Sequence, residues 1–174
     1  MNSMNRKSRL FSGFVSLCTA IVLFCAGAPV RADEMKVRIT NYISSMDLKQ
    51  KGETLAGPYL RRGLGFTDKG EVFIYRNEGL IEITMGKGSF QGEATWQFED
   101  GTTAVMSFEG TLEAGYDRKL KYDRVEAKFT RGSGRFEGIS GTLVLTGRSL
   151  TPFEGETRSD AYFDGVATYT LPKK

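Results

Sequence analysis

Wherever residues 33–174 carry a hydrophobic run, apolar and polar side chains alternate at every second position, and the spacing of an amphipathic helix is nearly absent. Val37, Ile39 and Ile43 interleave with Lys36, Arg38 and Thr40. Phe90, Ala94, Trp96 and Phe98 interleave with Gln91, Glu93, Thr95, Gln97 and Glu99, and Ala104, Met106, Phe108 and Leu112 continue the pattern. A period of two sends successive side chains to opposite faces of a strand, so the chain is expected to be all-β. About eight strands of roughly six to ten residues, with turns, would use the length. Between Phe98 and Ala104, Glu99-Asp100-Gly101-Thr102 holds an Asp-Gly pair suited to the positive φ angles of a tight hairpin. Further turns are expected at Asp68-Lys69-Gly70, Asn77-Glu78-Gly79, Gly86-Lys87-Gly88, Ala114-Gly115 and Gly132-Ser133-Gly134. The stretch from Ser44 to Gly65, interrupted by Pro58, reads as a long loop or a frayed edge strand. No second domain is indicated.

A recurrence sharpens the fold. Phe90-Gln91-Gly92, Phe108-Glu109-Gly110, Phe136-Glu137-Gly138, Phe153-Glu154-Gly155 and Phe163-Asp164-Gly165 repeat phenylalanine, a polar residue and glycine. On a strand the first and third positions share a face, so each copy sends a ring inward and leaves the next inward slot empty. The empty slot lets the strand bend, or lets a neighbouring ring lie over bare backbone, as at the corners of small barrels. A single closed antiparallel barrel of about eight strands over residues 33–174 is therefore expected. Closure also removes the exposed edges that a two-sheet sandwich would keep.

The first 32 residues differ. Arg6, Lys7 and Arg9 precede an apolar run from Leu10 to Ala28, and Val30-Arg31-Ala32 offers small residues where a signal peptidase cuts. A secretory signal peptide over residues 1–32, cleaved near Ala32, is expected, with a periplasmic or secreted destination. An uncleaved anchor would call for a longer uninterrupted span. A lipid-attachment box at Leu23-Phe24-Cys25 would want a small residue before the cysteine. This leader holds four of the 24 basic residues and none of the 21 acidic ones, so the remainder carries 20 positive against 21 negative charges. Cys18 and Cys25 also lie in the leader, and the chain has no histidine. The chain beyond residue 32 thus has no disulfide, thiolate nucleophile, Ser-His dyad or Cys/His zinc site, and no cofactor is expected. Nearly balanced charge, with small basic clusters only at Arg118-Lys119, Lys121 and Lys173-Lys174, argues against nucleic acid as a partner. No later run approaches membrane-spanning length, so stable membrane insertion of the mature chain is not expected.

The segment from Gly132 to Leu143, Gly-Ser-Gly-Arg-Phe-Glu-Gly-Ile-Ser-Gly-Thr-Leu, comes directly after the stretch holding Lys128-Phe129-Thr130. It resembles a segment of the allene oxide cyclase-like barrel proteins, a superfamily that also includes the plant dirigent proteins. The resemblance spans Gly88 to Leu171. It implies an eight-stranded antiparallel barrel with an apolar cavity, sometimes dimeric or trimeric, in which cyclases hold a flexible apolar substrate while a ring closes. Plant cyclases of this group use an inward carboxylate and have a cysteine near the cavity. Here no cysteine lies beyond the leader.

Any chemistry in the barrel must come from carboxylates, Tyr, Arg, Lys, Ser or Thr. Glu82, Glu93 and Glu99 fall on the outward phase. Asn41 falls on the apolar phase with Val37, Ile39 and Ile43, where a buried amide needs partners or orients a ligand group. Tyr59 and Arg61 come after Pro58, where a loop at a barrel mouth could hold a guanidinium over an anionic head group. Tyr75 shares a face with Phe73, while Val72 and Ile74 take the other, which suggests packing beyond the barrel through a subunit interface or the N-terminal segment. Trp96 lies inward as cavity wall or core filler. Asn41, Tyr59, Arg61, Tyr75 and Trp96 are thus the candidate ligand-binding residues; no catalytic residue is assigned. The leading expectation is a carrier holding a small apolar or amphipathic molecule in its barrel. The rivals are a cyclase or isomerase in the same barrel, and a solidly packed structural or interaction barrel of the cell envelope. Self-association is left open.

Overall fold

The computed structural model describes residues 32–153 and 159–173. Apart from Ala32, the expected leader lies outside the described residues, as do Glu154 and Gly155 of the Phe-x-Gly copy at Phe153. Nine strands occur in order: β1 (Asp33–Met46), β2 (Lys49–Lys51), β3 (Thr54–Thr67), β4 (Val72–Thr84), β5 (Lys87–Phe98), β6 (Thr103–Ala114), β7 (Leu120–Gly132), β8 (Ser140–Ser149) and β9 (Ala161–Thr170). Each of β3 to β8 pairs antiparallel with the next in sequence. β1 pairs with β9 on one side and β3 on the other, which closes an eight-stranded up-and-down barrel. The three residues of β2 form a flap on the start of β3. Helix is confined, among the described residues, to one 3₁₀ turn at Gly134–Phe136.

Closure is what the alternating pattern anticipates, yet the barrel strands run 10 to 14 residues, longer than expected. The expected turn at Asn77-Glu78-Gly79 is the middle of β4, and the irregular stretch up to Gly65 is mostly strand β3. Both errors have one physical cause, because Gly and Pro mark bends here instead of chain reversals. Gly79 lies opposite Gly92, and a Cβ on Gly79 would stand 2.1 Å from the Gln91 carbonyl oxygen. Pro58 sits where the β1–β3 register ends at Met46 and Tyr59; its carbonyl accepts the Asp47 N–H at 3.0 Å, and the absent donor points to the side β1 has left. The reversal near residue 86 is made by Met85 and Gly86, both at positive φ, while Gly88 belongs to β5. In the Glu99–Thr102 hairpin only Gly101 takes a positive φ.

Three of the five Phe-x-Gly copies lie on strands, with Phe90, Phe108 and Phe163 all buried. Phe136 belongs instead to the 3₁₀ turn, whose ring plugs the end of the barrel where Asp33 pairs with Tyr169. Bare backbone receives neighbouring rings as the pattern implies. A Cβ on Gly110 would stand 2.7 Å from Cζ of Phe90, and one on Gly65 would stand 2.0 Å from Cζ of Phe73. Around these contacts the aromatic side chains form a continuous stack: Phe73 lies 4.5 Å from Trp96, Trp96 is 5.9 Å edge-on from Phe129, and Phe98 is 5.3 Å from Phe136. Arg135 covers this plug, 4.7 Å over Phe98 and 5.1 Å over Phe136, with its Nη1 2.6 Å from Glu71.

The inside is nearly full. The interior cavity measures about 20 Å³ and is bordered by Tyr75, Asn77, Phe90, Met106, Val125 and Phe163 among others. Eight strands enclose a space just wide enough for side chains to fill. Replacing Gly65 by Ala drives a methyl into the Phe73 ring and should cost about 1–3 kcal/mol in urea unfolding. The control is the same change in a Phe73→Leu background, where the ring that a Cβ on Gly65 would strike is gone; an equal loss there would refute ring-on-glycine packing as the cause.

Candidate functional site

The opposite end of the barrel, toward the β6–β7 and β8–β9 connections, carries the buried polar groups. Strand β3 aims Tyr59, Arg61, Gly63 and Gly65 inward, alternating with outward Leu60, Arg62, Leu64 and Phe66. Tyr59 and Arg61 therefore project from a strand into the barrel, not from a mouth loop as the sequence suggested. In register with them, β1 sets Ile43 beside Arg61 and Asn41 beside Gly63. The missing side chain at Gly63 leaves the Arg61 guanidinium free to reach across to Asn41.

Arg61 is 5% exposed. Its Nη1 donates to Asn41 Oδ1 at 2.8 Å and, longer, to the Ser159 carbonyl at 3.4 Å; its Nη2 donates to the Tyr122 hydroxyl at 2.8 Å. Its Cζ lies 5.7 Å from the Tyr122 ring centroid. All of these partners are neutral. Among the described residues no carboxylate lies within ion-pair distance of Arg61, and no Asp or Glu is buried at all. A guanidinium taken out of water at this depth carries a penalty on the order of several kcal/mol that neutral acceptors only partly offset.

Two donors near the same guanidinium nitrogen are left over. Asn41 Nδ2 and Ser159 Oγ are buried and have no hydrogen-bond partner, although the other polar atom of Asn41 and the backbone of Ser159 are both engaged by Arg61. Buried polar groups are nearly always paired. An unpaired amide donor, an unpaired hydroxyl and a guanidinium lacking an anion, all within one neighbourhood, make an arrangement complementary to an oxyanion.

Phenols line the approach. Tyr75 accepts a hydrogen bond from Asn77 Nδ2 at 2.7 Å. Burial pushes its hydroxyl up to about 12, against the smaller opposing pull of that hydrogen bond and of the Arg61 charge. Tyr59 is also raised well above the ordinary phenol value, first by burial and then by Tyr75, with Arg61 opposing. Both phenols are uncharged at neutral pH and cannot serve as the missing anion. Asn77 Oδ1 is a further unpaired acceptor beside the 20 Å³ cavity, whose size suits one water molecule.

The structure thus brings Asn41, Tyr59 and Arg61 to one end of the interior and sets Tyr75 directly across from Trp96 in the β4–β5 register. Trp96 is fully buried in the aromatic stack with Phe73 and Phe129, and its indole N–H has no partner. Tyr122, Ser159 and Asn77 escaped sequence reasoning. Tyr122 shares the inward phase of Leu120, which was a usable signal; Asn77 was hidden by its apparent turn; Ser159 precedes β9 and carries no periodic mark. Glu82 and Glu99 are exposed, and Glu93 is partly covered with both oxygens bonded to Arg131.

No family model, curated protein or solved structure matches the chain.

The raised phenols set an alkaline limit on stability. Below about pH 10 Tyr75 is protonated in both folded and unfolded chains; between about 10 and 12 only the unfolded chain releases the proton, so stability falls as pH rises. The loss attributable to Tyr75 reaches about 2 kcal/mol at pH 12. Urea unfolding of Tyr75→Phe should decline less steeply over that window than the unsubstituted protein; parallel curves would show that Tyr75 titrates normally.

Proposed function

We propose that this chain is an exported ligand-binding barrel that takes the anionic group of a small amphipathic molecule at Arg61. The observation that carries the proposal is a buried guanidinium whose partners among the described residues are all neutral, beside two unpaired donors. Arg61 supplies the charge, Asn41 Nδ2 and Ser159 Oγ add hydrogen bonds, and Tyr59 with Tyr75 shapes a neutral wall. The ligand's apolar part lies against Met46, Leu48, Leu55 and Phe153, partly buried residues that pack on the core. That placement leaves the filled centre of the barrel undisturbed. A carboxylate or similar planar oxyanion matches the guanidinium fork better than a bulky neutral group.

Membership of the allene oxide cyclase-like group belongs to the same proposal. It is supported by the up-and-down eight-strand closure and by the glycine-rich crossing between β7 and β8. Export rests on the leader pattern alone. A cyclase role has less support, since no described carboxylate is buried to act as acid or base. The second reading, a packed barrel acting through its surface, is favoured by the 20 Å³ interior.

Native mass spectrometry of detergent-free protein, with subsequent solvent extraction, reads any carried molecule directly. Thermal unfolding against a panel of medium-chain carboxylates tests the anion: a ligand at a hundredfold its Kd adds about 3 kcal/mol. Arg61→Met should abolish that gain, and its ligand-free unfolding curve shows whether the variant still folds. A protein that carries nothing and gains nothing from any acid would leave the packed-surface reading standing.

A further inference from the structure

We propose that the outer face of β3 and β4 is the contact surface of a symmetric homodimer, with a two-fold axis passing between Arg76 and Glu78. Along β4 the outward side chains are Val72, Ile74, Arg76, Glu78, Leu80 and Glu82, all exposed. On β3 they are Phe66, Leu64, Arg62, Leu60 and Pro58. Register sets Phe66 beside Val72 and Leu64 beside Ile74, so four side chains that are 36 to 44% exposed form one apolar ridge. Tyr42 on β1, 40% exposed, stands beside Arg62 in the row next to the ridge. Outward positions on β5 and β6 contrast: Ser89, Gln91, Thr95 and Gln97, then Ser107, Glu109 and Thr111.

Charge beside the ridge is arranged unusually. Arg62 lies directly opposite Arg76, and in the next row Glu78 lies directly opposite Glu93. Like charges in direct cross-strand opposition destabilise a sheet. Glu93 is bonded to Arg131, but Arg62, Arg76 and Glu78 form no ion pair among the described residues. Beyond the acidic row the surface sinks into a groove of about 500 Å³ bordered by Pro58, Leu60, Glu78, Leu80 and Glu93. Leu80, 56% exposed, stands in it.

Ridge, basic row, acidic row and groove therefore succeed one another along the strands, and this order is complementary to its own reverse. An axis in the contact plane, perpendicular to β4 and between the charged rows, lays β4 antiparallel on β4 of a second copy. Arg76 then faces Glu78 of the second copy, and the exchange is reciprocal. Ile74 meets Leu80 and Leu64 meets Pro58, ridge into groove. A two-fold contact must be self-complementary in this sense, and a lipid surface or a wholly acidic partner would leave Glu78 and Glu93 opposed. The dimer places no demand on the Arg61 site inside the barrel, so the two proposals stand or fall separately.

Sedimentation equilibrium of the full chain, expressed whole and purified without detergent, tests the contact over about 1–100 µM. A dimer is expected. Arg76→Glu and Glu78→Arg should each weaken it by about tenfold or more, and the double exchange should restore it, because opposite charges again meet across the axis. Ile74→Asp should give a folded monomer whose melting temperature no longer varies with protein concentration, since the side chain is outward and only the association is lost. A monomeric wild type, or a double exchange no stronger than either single variant, overturns the proposal. Monomeric wild type that pellets with phosphatidylglycerol vesicles overturns it in favour of a lipid partner.

Discussion

Everything inside this molecule answers to the pairing of β1 with both β9 and β3. Once that ring of strands is shut, its circumference is set by strand number and stagger, and the interior volume is no longer adjustable. Side chains must then match a fixed space at close-packed density. The chain meets this with large rings against absent side chains: Phe73 over Gly65 and Phe90 over Gly110. The glycines cost backbone freedom in the unfolded state, but they admit aromatic groups that an interior this narrow could not otherwise hold. The two ends of the space are finished differently. One is sealed by Phe136 under Arg135, the other by polar side chains around Arg61.

That second end carries an electrostatic imbalance that the fold itself does not require. A leucine or methionine at position 61 would satisfy the inward phase of β3 at no desolvation cost. Keeping a guanidinium there obliges Asn41 and Tyr122 to turn their oxygens toward it, and it leaves Asn41 Nδ2 and Ser159 Oγ unpaired. Every other described arginine is exposed to water, whether ion-paired, as Arg38 is with Asp164, Arg131 with Glu93 and Arg135 with Glu71, or unpaired, as Arg62 and Arg76 are. The exception at Arg61 is local and specific, and for that reason it is the feature on which function is argued.

Much of the architecture was legible in the residues. Alternation and the Phe-x-Gly recurrence were enough for an all-β barrel, because period two and the ring-over-glycine device are local consequences of backbone geometry. Asn41 announced itself as an amide among apolar neighbours. The features hidden from the sequence were decided across strands. Glycine at 79 and proline at 58 look like turns when only their own segment is considered; the partner strands show that one bends beneath Gly92 and the other stands where a ladder ends. Asn41 and Arg61 are both candidates from the sequence, but their contact, and the part of Tyr122 and Ser159 in it, escaped for the same reason. The members of the site come from β1, β3, β7 and the approach to β9, and no spacing within the chain relates Tyr122 to Arg61.

The manner of closure also orders events in time. Of the nine described strands β1 is synthesised first and its partner β9 last, with Asp33 paired to Tyr169. Hairpins from β3 to β9 join neighbours in sequence and can form as the chain lengthens, whereas the seam that completes the ring spans nearly the whole domain and carries the largest loop-closure entropy. Until the final strand is free, β1 keeps one unpaired edge and the aromatic interior stays open to water. A chain in that condition remains threadable and also vulnerable, so the late seam both postpones compaction and defines the interval during which aggregation must be prevented.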